Sequence, residues 1–140
     1  IADSEYYDLV HSFSSEFHVM SEVGFKSAAL SDQMNDMDLL QGCQLSIEAG
    51  EKFVILEARE SGTAGVVGGN GEIKTPMLNS LASNFEDELI LFEAPVKSLQ
   101  AHLINNFGSS VNLGNLSLQS ILPVMALRNN LRSETLNFDS

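Results

Sequence analysis

Apolar residues recur along this chain at two alternating periods, one helical and one of strand type. Residues 3–14 (DSEYYDLVHSFS) place Tyr6, Leu9, Val10 and Phe13 at helical spacing, which predicts a first helix with that stripe turned inward. Residues 17–23 (FHVMSEV) read as a strand ended by Gly24. Asp32 suits the N-cap of a helix over 33–49, stopped by Gly50, with Met37, Leu40, Cys43 and Ile47 on one face. Residues 52–59 (KFVILEAR) read as a strand whose unbroken apolar centre predicts cover on both faces. A Gly-rich loop follows over 61–74, and Thr75-Pro76 opens a helix to about Phe85. Residues 89–94 (LILFEA) form the next strand. Residues 97–107 form a helix with Leu99, Leu103, Ile104 and Phe107 on its apolar face, stopped by Gly108. A short strand is expected over 110–113. A helical stretch over 117–131, split at Pro123, precedes a loose tail.

The order is therefore α-β-α-β-α-β-α-β-α, with no internal boundary across residues 1–140, a single domain. Strict alternation implies an α/β fold with a parallel sheet and right-handed crossovers. Four strands fall short of a closed barrel, which needs eight strands and about 250 residues. The chain is either a small open sheet or half of a larger barrel.

Composition narrows the function. Seven basic against 19 acidic residues leave a net charge of −12 and a pI near 4.4. Such a surface argues against nucleic acid or an anionic membrane as partner. A single cysteine excludes an internal disulfide framework and a thiolate zinc site. No apolar run approaches the length of a membrane span, and the start, IADSEYYD, has neither the basic nor the apolar region of a signal peptide. A cytoplasmic protein is expected on that reading.

Chemistry in parallel α/β folds gathers at the carboxyl ends of the strands. Those positions hold Glu22 and Lys26 after the first strand; Glu57, Arg59, Glu60 and Ser61 at the second; Glu93, Lys97 and Ser98 at the third; Asn112 and Asn115 at the fourth. Alternation puts Glu57 and Arg59 on the face of Ile55, and Glu93 on the face of Leu91. Three of the chain's seven cations, Lys26, Arg59 and Lys97, fall near strand ends, and Arg128 and Arg132 are spaced one helical turn apart. An anionic small molecule gives a reason for that placement. Glutamates among cations also suit Mg²⁺. An ion-pair network closing the end of a sheet reads the same spacing equally well. The loop GTAGVVGGNG at 62–71 matches no phosphate-binding fingerprint and reads as a flexible loop or lid. Cys43 belongs to a core face.

Five blocks then occur in order. They are SEVG at 21–24 with Lys26, AGEKFVILEARESG at 49–62, ILFEAPVKSLQ at 90–100, FGSSVNLGN at 107–115 and LRNNLRSETL at 127–136. Together they resemble the phosphosulfolactate synthase family, over nearly the whole chain. The resemblance implies a Mg²⁺-dependent (β/α)₈ TIM barrel that adds sulfite to phosphoenolpyruvate, giving (2R)-phospho-3-sulfolactate for coenzyme M or sulfolactate biosynthesis. This chain looks like the carboxyl-terminal part of such a barrel, its last four βα units, with the amino-terminal strands absent. Carried over block by block, the resemblance implies Lys26, Arg59 and Glu60 as catalytic residues. Lys97, Asn112, Asn115 and Arg132 would bind substrate, and Glu22, Glu57 and Glu93 would serve the metal. Family members commonly have Gly-Asp where this chain has Ser133-Glu134. Two other readings stand beside this one: a non-catalytic relative of the kind associated with heat stress, or an inactive half-barrel; and a different barrel lyase that uses phosphoenolpyruvate. A half-barrel leaves two sheet edges and an apolar face exposed, so a homo-oligomer or pairing with a missing half is expected.

Overall fold

A computed structural model describes residues 2–23, 36–57, 73 and 75–135. The elements are α1 (Asp3–Ser14), β1 (Met20–Val23), α2 (Asp36–Glu48), β2 (Phe53–Leu56), α3 (Thr75–Asn84), β3 (Ile90–Glu93), α4 (Lys97–Phe107), β4 (Leu113–Gly114) and α5 (Ile121–Arg128). Short 3₁₀ turns, Asp87–Leu89 and Leu118–Ser120, lead into β3 and α5. The strands pair in chain order β1-β2-β3-β4, all parallel, as the alternation of elements requires.

Register explains where the core lies. Val54 pairs with Ile90, and Leu56 with Phe92, so these side chains share one face of the sheet. All four are buried, and Leu39 and Cys43 of α2, Met77, Leu78 and Leu81 of α3, and Leu99, Leu103 and Ile104 of α4 pack into the same core. The alternate row, Met20, Phe53, Ile55 and Leu91, is only half-buried or exposed. The unbroken apolar run of β2 predicted cover on both faces. Within the described residues only the helical side is covered, because no second layer lies on the other.

Several boundaries differ from the sequence reading, each for a local reason. The first strand starts at Met20 rather than residue 17, since the chain is still turning out of α1, with Phe17 N–H bonded to Phe13 O at 2.9 Å. Strand β4 is displaced toward Gly114, because Asn112 O and Gly114 O are what accept from Phe92 and Ala94. Val111, expected in that strand, is buried in the core instead. Pro123 does not split the last helix. It is the third residue of α5, in the first turn, where a missing N–H has no partner to lose. The break falls before it, at the 3₁₀ turn. The stripe expected on α1 buries only Val10, while Leu9 and Phe13 are half exposed. Met37, expected on the core face of α2, is exposed. Gly50 ends α2 as expected: its φ is +100°, and a side chain there would meet Ser14 Oγ at 2.9 Å. The N-cap expected at Asp32, the strand expected over 58–59 and most of the Gly-rich loop lie outside the described residues.

A polar cluster fastens α1 to the sheet. Glu51, buried just ahead of β2, accepts from the Tyr6 hydroxyl, from Ser21 N–H at 3.0 Å and from Ser21 Oγ at 2.7 Å. Ser46 Oγ lies 2.8 Å from the same phenol oxygen. Burial, then the bond to Glu51, raises the Tyr6 pKa above its ordinary 10.0. The fold thus favours the protonated phenol, so this contribution to stability is complete below pH 10 and is lost as pH rises through the folded value. Tyr6→Phe is expected to remove part of the decline in urea midpoint between pH 8.5 and pH 11. Identical declines in the two proteins would discard this assignment.

Cys43 has no exposed surface, and burial pushes its thiol up to about 12. At pH 8 its reaction with a disulfide reagent is expected to proceed only as fast as the chain unfolds, and to be complete in urea. Rapid labelling of the native protein would contradict that placement.

Candidate active site at the carboxyl end of the sheet

Parallel strands bring their carboxyl ends to one side, and the acidic residues found by pattern stand there. Glu57 follows Leu56, and its N–H continues the ladder to Val23 O at 3.3 Å. Glu93 follows Phe92, the register partner of Leu56. The two glutamates are therefore neighbours on adjacent strands, on the face turned away from the helices. Glu57 is 8% exposed and Glu93 half-buried. A partly buried carboxylate is costly unless it has a partner, and a cation is one partner of the right sign. The pair fits Mg²⁺, which takes one or two carboxylates and keeps its other positions for water and substrate oxygens. Glu22 is exposed and pairs with Ile55, one step nearer the amino ends. Among the described residues no three His, Cys, Asp or Glu side chains converge on one point, so Glu22 does not complete a three-carboxylate set with the other two.

The fourth strand shapes the same end. Gly114 pairs with Glu93, and any side chain at 114 would run into Leu91 Cδ2. Sequence reading gave Gly114 no role, since a glycine in a two-residue strand carries no signal until its neighbour is known. Asn115 comes next at φ +53°, the left-handed region that Asn tolerates better than most residues, and turns the chain off the strand at the mouth. Asn112 faces elsewhere: its amide donates to Glu88 O at 3.2 Å and Ile90 O at 3.3 Å, bracing the start of β3.

The cations are distributed less simply than their spacing suggested. Lys97 is the first residue of α4, just beyond β3, and its ammonium pairs with the Glu134 carboxylate. That pairing holds Glu134 below the usual carboxylate range. Both side chains are exposed, 46% and 39%, so the pair is worth little. Arg128 and Arg132 do not share a helix. Arg128 ends α5 and donates to the carbonyls of Ser109 and Val111, the latter at 2.7 Å, so it braces the approach to β4. Arg132 is exposed in the turn beyond. Lys26, Arg59 and Glu60 lie outside the described residues. The structure thus brings together Glu57, Glu93, Gly114 and Asn115, with Lys97 at the rim.

Four parallel strands in chain order with helices on one face are the architecture of part of a TIM barrel. The family model for (2R)-phospho-3-sulfolactate synthase (ComA) matches residues 1–134, and the chain belongs to that family. It is 38% identical over 124 residues to a phosphosulfolactate synthase of Bacillus subtilis, covering 88% of this chain and 49% of the relative. It is also 38% identical over 120 residues to that of Methanocaldococcus jannaschii, covering 85% and 48%. A third, from Methanothermobacter thermautotrophicus, is 35% identical over 121 residues, covering 86% and 47%. The chain spans about half the length of these relatives. No described helix is long and apolar enough to cross a membrane.

Proposed function

We propose that this chain supplies half of the active site of a phosphosulfolactate synthase, which adds sulfite to phosphoenolpyruvate. The observation that carries the reading is the Glu57–Glu93 pair at the sheet's mouth, in a chain of this family. Sulfur attacks C3 of the enol phosphate and forms the C–S bond. The electron pair of the C2–C3 double bond moves to C2 and spreads into the carboxylate, and C2 then takes a proton. The phosphate ester stays intact, so the product is phosphosulfolactate, a precursor for coenzyme M or sulfolactate. Mg²⁺, when bound, supplies charge stabilisation at the substrate carboxylate. Glu57 and Glu93 hold it directly or through water. Lys26 delivers the proton to C2. Arg59 forks the phosphate or carboxylate, and Lys97, released from Glu134, draws in the second anion with Arg132.

The test is mass spectrometry of reactions containing phosphoenolpyruvate, sulfite and Mg²⁺, with sulfite omitted as control. The chain is assayed by itself and fused to the part of the Bacillus subtilis relative that it does not match. A sulfite-dependent product is expected from the fusion. It should vanish with a chelator and drop at least about 10²-fold when Glu57 and Glu93 both become Gln, two decades corresponding to about 2.7 kcal/mol of barrier. A folded fusion that turns over phosphoenolpyruvate without sulfite, or yields no adduct, rejects the reading.

A further inference from the structure

We infer that Gln100 is a positioning residue for Glu93: from inside α4 it fixes the turn that carries the glutamate out of β3. The inference deepens the reading above. It rests on that reading for a metal at Glu93, and on hydrogen bonds of the fold for the anchoring itself.

Gln100 is the polar member of a buried run. It stands in α4 beside Leu99, Ala101, Leu103 and Ile104, all buried, and is itself only 1% exposed. A buried carboxamide is costly unless its hydrogen bonds are made, and Leu or Met would fill similar space without that cost. Its Nε2 donates to Ala94 O at 2.8 Å, six residues back. Its backbone N–H donates to Val96 O at 3.1 Å. One residue thus holds two of the three carbonyls in the turn Ala94-Pro95-Val96, which joins β3 to α4. The turn has few other means of being held. Pro95 has no N–H to offer, and Val96, the extended N-cap residue of α4, makes no side-chain capping bond. Ala94 has no exposed surface, so its carbonyl must be satisfied from within the protein.

The consequence falls on Glu93. Ala94 N–H donates to Gly114 O at 3.0 Å, and that N–H belongs to the peptide unit that begins at the Glu93 carbonyl. With Ala94 O tied to Gln100, the peptide planes on both sides of Ala94 are held, one against β4 and the other against α4. Glu93 therefore leaves β3 along a fixed path, beside Glu57 on the neighbouring strand. A carboxylate that holds a metal binds it only as well as its own backbone is held, and removing such support typically costs about 10–100-fold in metal affinity. Gln100 reaches the backbone of the turn and acts on the site through Glu93.

Gln100→Met keeps the length of the side chain and removes the donor. Leu103→Ala, at a fully buried position on the same helix, is the control that destabilises without touching the turn. Hydrogen exchange of the chain, followed by NMR, reads the anchor. In Gln100→Met, Ala94 N–H is expected to exchange at least about tenfold faster, while Gly108 N–H, bonded to Ile104 O at the other end of α4, is unchanged. Leu103→Ala should speed the two together. Calorimetric titration of the fusion with MgCl₂, without substrates, reads the consequence. The dissociation constant should rise about tenfold in Gln100→Met and stay as it was in Leu103→Ala. An Ala94 N–H that exchanges no faster in Gln100→Met overturns the inference, and so does an unchanged Mg²⁺ dissociation constant. A parent fusion that takes up no Mg²⁺ defeats the metal reading of Glu93 instead, and the exchange rates then decide by themselves whether Gln100 holds the turn. Where Gln100→Met does not fold, the parent chain is enough. The side-chain amide protons of Gln100 should exchange far more slowly than those of exposed Gln119, and equally rapid exchange overturns the inference.

Discussion

Phe92→Ala is expected to cost about 3–5 kcal/mol of unfolding free energy, the range for truncating a fully buried aromatic ring. Phe92 sits at the centre of β3 with 1% of its surface exposed, and its ring packs against that of Phe107 at 4.9 Å between centroids. Its neighbours in the row, Leu56 and Leu113, are fixed by strand pairing and cannot collapse into the space. Domains of this size are stable by about 5–15 kcal/mol, so the loss takes a large part of the total. Urea denaturation followed by circular dichroism measures it, and a loss below about 1.5 kcal/mol would mean the ring is not where the core depends on it. Met37→Ala, at an exposed position on α2, serves as the control with little expected change.

Lys26→Ala is expected to lower turnover of the fused enzyme by about 10²–10⁴-fold, the usual contribution of a positioned proton donor. That corresponds to about 2.7–5.4 kcal/mol of barrier. The KM for phosphoenolpyruvate should change little, because the proton is needed only as charge gathers at C2. Steady-state kinetics of the variant separates the two roles: a KM that rises as steeply as kcat falls would make Lys26 a binding residue. Lys26→Arg should fail to rescue turnover, since a guanidinium holds its proton too tightly to donate it.

Much of this molecule is written in its pattern. The period-two alternation of VILE and ILFE fixes which side chains meet the helices, and it puts Glu57 and Glu93 together on the opposite face. The helix over 97–107 is found with its observed ends, because its stripe and Gly108 both mark them. What pattern misses depends on partners. A stripe predicts burial only if a neighbour covers it, and among the described residues Leu9 and Phe13 stay half exposed. Arg128 and Arg132 have the spacing of one helical face, yet α5 ends at Arg128 and its guanidinium is spent on backbone carbonyls. Glu51 shows no motif, and its place under Tyr6 and Ser21 arises only when α1 folds back over the sheet. Asn112 and Asn115 stand three residues apart in one block, but one braces the backbone and the other turns it.

The bare backbone at Gly114 leaves room for a side chain of the neighbouring strand. Leu91 leans diagonally across the space where a side chain would stand, one step below Glu93. An alanine at 114 would run into Leu91 Cδ2 and force that side chain out of its place beside β4. The place of a side chain on β3 is thus set by an atom left out of its neighbour β4.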